Sequence, residues 1–132
     1  MGNTMPQMEW DETDVLTCLK VLPEVEEFGT SYHYETRQEE LTLSVRIWPH
    51  ESIVAVSLSH QEATCASWTL AVRGFVRRVC DNAGERLEFC DCMIVSSRFA
   101  YMSEANPFGV APFRHSPTMQ LFIKPHIRIA FV

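Results

Sequence analysis

The sequence predicts an all-β domain, an antiparallel sandwich or a partly closed barrel of about seven strands, with a possible short helix near the N-terminus. Two observations favour this fold class. From Thr30 onward, apolar and polar residues alternate with a period of two in several stretches, as in strands that bury one face. Turn-forming residues separate these stretches at short intervals. A mixed fold, in which the helix packs across one sheet, is the alternative.

The chain of 132 residues has the common length of one domain and can build a core without disulfide or metal support. We expect a flexible arm over residues 1–12 and a single β-rich domain over residues 13–132. In the stretch TDVLTCLKVLP, apolar residues recur at helical spacing, with Thr13 as a possible cap and Pro23 as a stop. The β-branched valines in this stretch leave a strand open as an alternative there.

The next two periodic stretches predict a hairpin. In ELTLSVRIW, residues 40–48, and in SIVAVSLS, residues 52–59, apolar residues alternate with polar ones, so each stretch has one face to bury. Pro49 lies between them and has no amide hydrogen to give to a sheet, so it marks the turn.

The second half of the sequence predicts further strands. Gly74 interrupts the alternation in SWTLAVRGFVRRVC, which indicates a bulge or a bend. DNAG, residues 81–84, has the composition of a hairpin loop, and TMQLFIKPHIRIAFV, residues 118–132, closes the chain with strand patterns. From these patterns we expect the following side chains to be buried: Leu43, Val45, Val56, Leu70, Phe89, Ile123 and Ile129.

Charge is distributed unevenly along the sequence. Residues 1–40 contain ten carboxylates and two basic side chains, a net charge of −8, whereas the remaining residues sum to +2. The acidic balance disfavours nucleic acid as the partner, because contacts with phosphate supply most of the affinity of such complexes. The acidic N-terminal region could instead meet a basic protein, since opposite potentials accelerate encounter. A solvated, solubilising surface is the alternative.

Four arginines flank the predicted DNAG loop: Arg73, Arg77, Arg78 and Arg86. They could grip a carboxylate or a phosphate, because a guanidinium presents a planar fork of donors. The alternative is that they form ion pairs with Glu85 and Glu88 across the hairpin.

The N-terminal residues lack the basic segment and the apolar run of a signal peptide, and no apolar run is long enough to cross a bilayer. We therefore expect a cytoplasmic protein that contacts no membrane. The five cysteines are an odd number, which in a chain without an export signal favours reduced thiols over disulfides.

No recognisable catalytic or cofactor motif occurs in the sequence. No serine or cysteine lies in a nucleophile signature, the glycines are scattered singly, and the five histidines form no His-x-His pair. Cys90 and Cys92 would share one face of a strand, and with Cys80 across the hairpin they could approach a soft metal. Small apolar residues on a core face are the alternative for these cysteines. We expect no cofactor, no metal site and no catalytic residues.

The stretch RFAYMSEANPFGVAPFRHSP, residues 98–117, has no clear period and is longer than most loops of compact domains. Its prolines restrict the backbone, and its aromatic side chains and arginine are residue types enriched in protein interfaces. The candidate partner-binding residues in this loop are Tyr101, Phe108, Phe113, Arg114 and His115. A loop that covers one end of the core is the alternative.

These observations predict a non-catalytic interaction module that binds a protein partner through the 98–117 loop, in an immunity-protein-like or adaptor role. Small acidic domains of this size include immunity proteins that neutralise bacterial toxins, and the resemblance here is one of size and charge without a motif. The alternative is a small-ligand or metal-binding β-barrel protein, with or without enzymatic activity. In that case the loop is a lid and Cys90, Cys92 or His115 supplies polar groups.

Overall fold

The computed structural model of the chain describes residues 8–97 and 117–132. Within these ranges the elements follow one another as α1 (Glu12–Leu19), β1 (Glu24–Val25), β2 (Tyr32–Gln38), β3 (Leu41–Trp48), β4 (Ile53–His60), β5 (Ala63–Val72), β6 (Val76–Asp81), β7 (Gly84–Phe89), β8 (Cys92–Val95), β9 (Met119–Phe122) and β10 (Arg128–Phe131). A short 3₁₀ turn, Glu27–Gly29, joins β1 to β2. The predicted hairpins are present as β3–β4 and β6–β7.

The strands form two antiparallel sheets. One has six strands in the order β1-β2-β3-β4-β5-β8, and the other has four in the order β10-β9-β7-β6. This arrangement confirms the predicted all-β fold class in its sandwich form. The described ranges hold more strands than the seven or so expected, in part because the chain passes from one sheet to the other at Gly74 and at Asp91.

The chain changes sheets after β5, after β7 and after β8, and the first two of these crossings lie side by side. The Arg73 amide donates to the Asp91 carbonyl at 2.9 Å, and the Cys90 amide donates to the Phe75 carbonyl at 2.8 Å. Gly74 forms the predicted bend, and a Cβ atom there would lie 2.6 Å from the Cys90 carbonyl oxygen. The two backbones approach so closely that this position requires glycine.

The core lies between the two sheets. The predicted core residues Leu43, Val45, Val56, Leu70 and Phe89 are fully buried, in agreement with the prediction. Ile123 and Ile129 are only half-buried and pack against the margin of the core, so the prediction is wrong for these two. Ile129 lies in β10, the edge strand of the four-stranded sheet, and Ile123 lies just after the end of β9, so the described strands cover each side chain incompletely.

The N-terminal helix is present, but its cap is Asp11 and not Thr13. The Asp11 carboxylate accepts the Thr13 amide at 2.8 Å, so the helix already begins at Glu12. It ends at Leu19, before the predicted proline stop, because Lys20 takes a left-handed conformation with φ of 60°. The apolar face of α1 packs against β6 and β7. No helix in the described ranges is long and apolar enough to cross a membrane.

Residues just before α1 contact the domain. Met8 is buried, and its amide donates to the Ser52 hydroxyl at 2.9 Å. Glu9 forms a parallel bridge with Phe75 at the first sheet crossing. The end of the predicted arm therefore lies against the sandwich, and its first seven residues lie outside the described ranges.

Candidate functional site

The partner-binding residues predicted from the sequence lie outside the described residues. Tyr101, Phe108, Phe113, Arg114 and His115 all belong to residues 98–116. The recognition role of this loop therefore stays a prediction.

The three cysteines considered as metal ligands do not converge. Cys90 and Asp91 form the second sheet crossing, and Cys92 begins β8 in the other sheet, so Cys90 and Cys92 do not share the face of one strand. Cys80 pairs with Glu85 at the far end of the β6–β7 hairpin, about 16 Å from Cys90 along the strand. Within the described ranges, no group of three metal-ligating side chains comes together.

The arginines around the DNAG loop are engaged in ion pairs, as the alternative interpretation predicted. Arg78 pairs with Glu85, and Arg77 pairs with Glu88. The Arg86 side chain is 9% exposed and donates to Glu88 at 2.9 Å. Five side chains on the outer face of the four-stranded sheet form what we call the ion-pair network: Arg77, Asp81, Arg86, Glu88 and Gln120.

Hydrogen bonds within the network favour the charged forms of its carboxylates. Two bonds from the Arg86 guanidinium, at 2.8 and 3.0 Å, and one from the Ala83 amide lower the pKa of Asp81 to about 2. Burial tends to raise the pKa of Glu88, but bonds from Arg86, Gln120 and Arg77 outweigh burial and lower it. These arginines are satisfied by partners within the chain.

A different surface lies at β1, the outermost strand of the six-stranded sheet. We call residues 22–28 the edge segment. Its apolar side chains are exposed, Leu22 at 80%, Val25 at 51% and Phe28 at 95%. Its acidic side chains are exposed as well: Glu24, Glu26 and Glu27. The segment thus combines apolar and negatively charged groups on the surface.

Phe28 is held in an unfavourable backbone conformation. Its φ is 61°, in the left-handed region, which bulky residues rarely adopt. The turn around it is fixed by the Gly29 amide, which donates to the Glu26 carbonyl at 3.0 Å, and by the Thr30 amide, which donates to the Glu27 carbonyl at 3.3 Å. Such conformations cluster at functional sites, where surrounding contacts maintain them.

An open cleft of about 500 Å³ adjoins the edge segment. We call it the aromatic cleft, and its lining residues are Met8, Glu9, Trp10, Glu12, Phe28, Gly29, Tyr32, Pro49 and His50. Trp10 and Tyr32 pack edge to face with ring centroids 4.8 Å apart. A hydrogen bond to Glu12 raises the pKa of Tyr32, so the aromatic rings and a carboxylate are tied together at this site.

A second open cleft, of about 570 Å³, lies at the opposite end of the six-stranded sheet, beside the β2–β3 and β4–β5 turns. We call it the polar cleft, and its lining residues are Glu35, Arg37, Glu39, Glu40, Thr42, Ser59, Gln61 and Glu62. Like the aromatic cleft it is lined by carboxylates, but no aromatic residue lies in its lining. A comparison of ligand binding at the two clefts therefore separates the contribution of charge from that of aromatic rings.

The acidic N-terminal region was noted in the sequence, but Phe28 and the aromatic cleft were missed. Residues 9–32 carry seven carboxylates and one lysine. An aromatic residue inside the polar stretch EEFG was the local signal for Phe28. Nothing in the sequence pattern indicated that Trp10, Tyr32 and His50 would meet, because the sandwich fold brings these distant positions together.

No protein-family model matches the sequence, and no curated protein matches it. A solved structure with a similar fold is a chain of a contact-dependent growth inhibition toxin–immunity protein complex from Klebsiella pneumoniae 342, with a TM-score of 0.69. The identity is 14%, and the match covers 95% of this chain and 96% of that chain. At this identity the similarity shows a shared fold.

Proposed function

We propose that this protein is a non-catalytic, cytoplasmic module that binds a basic protein partner, in the manner of an immunity protein. The observation that carries the proposal is Phe28, which is 95% exposed and has a φ of 61°. An exposed phenylalanine in this conformation contributes nothing to the core and costs about 1 to 2 kcal/mol of backbone strain. In a complex, such a residue would be buried against the partner and would contribute binding energy as an interface anchor.

The surroundings of Phe28 support a basic partner. Leu22 and Val25 add exposed apolar area in the same segment, which also carries the carboxylates Glu24, Glu26 and Glu27. Interfaces commonly combine apolar anchors with complementary charge, and the charge mainly accelerates encounter and selects the partner. A region with seven carboxylates and one lysine selects against acidic surfaces and in favour of basic ones.

The shared fold is compatible with this proposal. The similar chain comes from a complex of a toxin with its immunity protein, and we extend to this chain the idea that its partner is a toxin domain. Fold alone does not fix function, so the proposal depends on the edge segment and is tested there.

The 98–117 loop remains a second proposed contact surface, with Tyr101, Phe108, Phe113, Arg114 and His115 as its candidate residues. The alternative function, a small-ligand or metal-binding barrel, gains no support from the described residues. Both clefts open onto the surface, and Cys90 and Cys92 lie on different elements.

Site-specific photo-crosslinking tests the proposal. A photoreactive phenylalanine analogue is placed at position 28, at position 108 or at Ile94, which is 53% exposed on the far edge of the same sheet. We expect the analogue at position 28 to crosslink one protein that the analogue at position 94 does not crosslink. The captured protein is then purified, and its affinity for the native chain and for Phe28→Ser is measured by calorimetry. We expect Phe28→Ser to weaken binding at least about tenfold, the effect of an interface anchor.

Each outcome has a defined meaning. Capture at position 108 alone supports a protein-binding function through the loop and removes the edge segment from it. Capture of the same proteins at positions 28 and 94, or equal affinity of the native chain and Phe28→Ser, contradicts the proposal. An acidic captured protein contradicts the predicted charge of the partner.

A further inference from the structure

We infer that the aromatic cleft receives an arginine side chain of the partner protein. The inference rests on the proposed protein-binding function and names the group that this surface recognises. It depends on two features that the cleft combines, aromatic rings and carboxylates, and each feature alone would be less selective.

The first feature is the group of three aromatic side chains, Trp10, Phe28 and Tyr32, that line one cleft. The edge-to-face contact of Trp10 with Tyr32 fixes the positions of both rings, and the hydrogen-bonded turn fixes the backbone of Phe28, whose side chain lines the same cleft. A guanidinium stacks on aromatic faces and gains a cation–π attraction there. Because the Trp10 and Tyr32 rings are already positioned, these two side chains lose little entropy on binding.

The second feature is the pair of carboxylates Glu9 and Glu12, which line the same cleft and are exposed to solvent. The backbone of Glu9 is anchored on both sides, since its amide donates to the Gly74 carbonyl at 3.2 Å and its carbonyl accepts the Val76 amide at 2.8 Å. Glu12 is held at the start of α1 and bonds to Tyr32. A planar guanidinium can donate to a carboxylate while it stacks on a ring, whereas an ammonium cannot do both as well.

The polar cleft shows what charge alone would provide. It has Glu35, Glu39, Glu40 and Glu62 in its lining, but it also contains Arg37 and no aromatic ring. If charge alone determined binding, a cation would occupy either cleft. The inference predicts a clear preference for the aromatic cleft.

Titration with short peptides tests this inference without the partner. The ¹⁵N-labelled full chain is titrated at pH 7.5 with acetyl-Gly-Arg-Gly-amide, with the matched lysine peptide, and with the citrulline peptide, which has the shape of arginine without its charge. We expect saturable shifts of the Trp10 indole N–H and of the Gly29 and Tyr32 amides, with a Kd of about 1 to 10 mM for the arginine peptide. The lysine and citrulline peptides should bind at least about fivefold more weakly.

Two double variants supply the matched control. Glu9→Gln with Glu12→Gln removes two charges from the aromatic cleft, and Glu39→Gln with Glu62→Gln removes two charges from the polar cleft. The first should weaken arginine binding at least about fivefold, and the second should change it less than about twofold. Should the first fail to fold, Phe28→Ala replaces it, because that side chain is 95% exposed.

Equal weakening by both double variants would show non-specific attraction and overturn the inference, as would equal binding of the citrulline peptide. Equal binding of the lysine peptide would overturn the assignment to arginine. The peptides bind without the partner, so a negative result here leaves the crosslinking test of the proposed function intact. If position 28 captures a partner but the arginine peptide does not bind, the inference about arginine is overturned and the proposed protein-binding function stands.

Discussion

The edge segment and the ion-pair network lie on different sheets and use their side chains in opposite ways. In the network, the Arg86 and Glu88 side chains are 9% and 8% exposed, and each is bonded to more than one partner. In the edge segment, Phe28 is 95% exposed and occupies a strained conformation. The network stabilises the folded chain, whereas the edge segment contributes little to stability and leaves apolar and acidic groups available.

The difference shows how to distinguish a structural cluster of charges from a recognition surface. Both regions are conspicuous in the sequence, one for arginines and the other for carboxylates. Arginines that are already bonded within the chain have few donors left for a ligand, because each new contact must replace an existing one. Exposed groups without that constraint can bind a partner at a smaller cost. Three measurements test this distinction.

Arg86→Ala should have the largest effect, a loss of about 3 kcal/mol in the free energy of unfolding measured by urea denaturation. It removes the central donor of the network and leaves the buried Glu88 carboxylate and the half-exposed Asp81 carboxylate with fewer partners. Glu27→Ala in the edge segment is the matched control and should change stability by less than about 0.5 kcal/mol. The comparison fails if the two variants are equally destabilised.

Phe28→Asn should raise the free energy of unfolding by about 0.5 to 1 kcal/mol, because asparagine tolerates a positive φ better than phenylalanine does. Val25→Asn, at an exposed strand position in the same segment, serves as control and should give no such gain. Thermal melts of both variants provide the measurement. A destabilised Phe28→Asn would mean that the phenylalanine is part of the folding core after all.

Acidification should have the smallest and most local effect. The pKa of Asp81 is lowered to about 2 in the folded state from an ordinary value of 3.8. A carboxyl with a depressed pKa stabilises the fold above its unfolded value, and this stabilisation is lost as the pH falls from about 4 toward 2. The Asp81 side chain is 50% exposed, so solvent limits the magnitude. The melting temperature should therefore fall over this interval, and less steeply for Asp81→Asn; parallel pH profiles of the two proteins would contradict the assignment.

The local parts of the fold were predictable from the sequence. The alternation around Val45 and Val56 identified two paired strands, and DNAG identified the β6–β7 turn, because a period of two and turn-forming residues are properties of neighbouring residues. The pairing of Arg77 with Glu88 was also foreseen as an alternative, since both flank one hairpin. The cap at Asp11 was missed, although an aspartate directly before a helix is a strong local signal.

Residues at the second sheet crossing could not be interpreted correctly in this way. Cys90 and Cys92 have the spacing of one strand face, yet the chain turns at Asp91, where φ is 56°, and enters the other sheet. The residues before Asp91 and those after it both have the sequence pattern of a strand. Only the pairing of β7 with β6 and of β8 with β5 shows that these two strands belong to different sheets.

The amino-acid sequence alone was sufficient for the all-β class, for five core positions and for the concentration of negative charge in the first forty residues. These follow from the period, hydropathy and charge of adjacent positions. The stacking of the sheets was needed to bring Gln120 of β9 into the ion-pair network and to place Trp10, Tyr32 and His50 around one cleft beside Phe28. Such contacts join positions far apart in the chain. They depend on how two sheets stack and where the chain crosses between them, and the periodicity of a single strand carries no information about either.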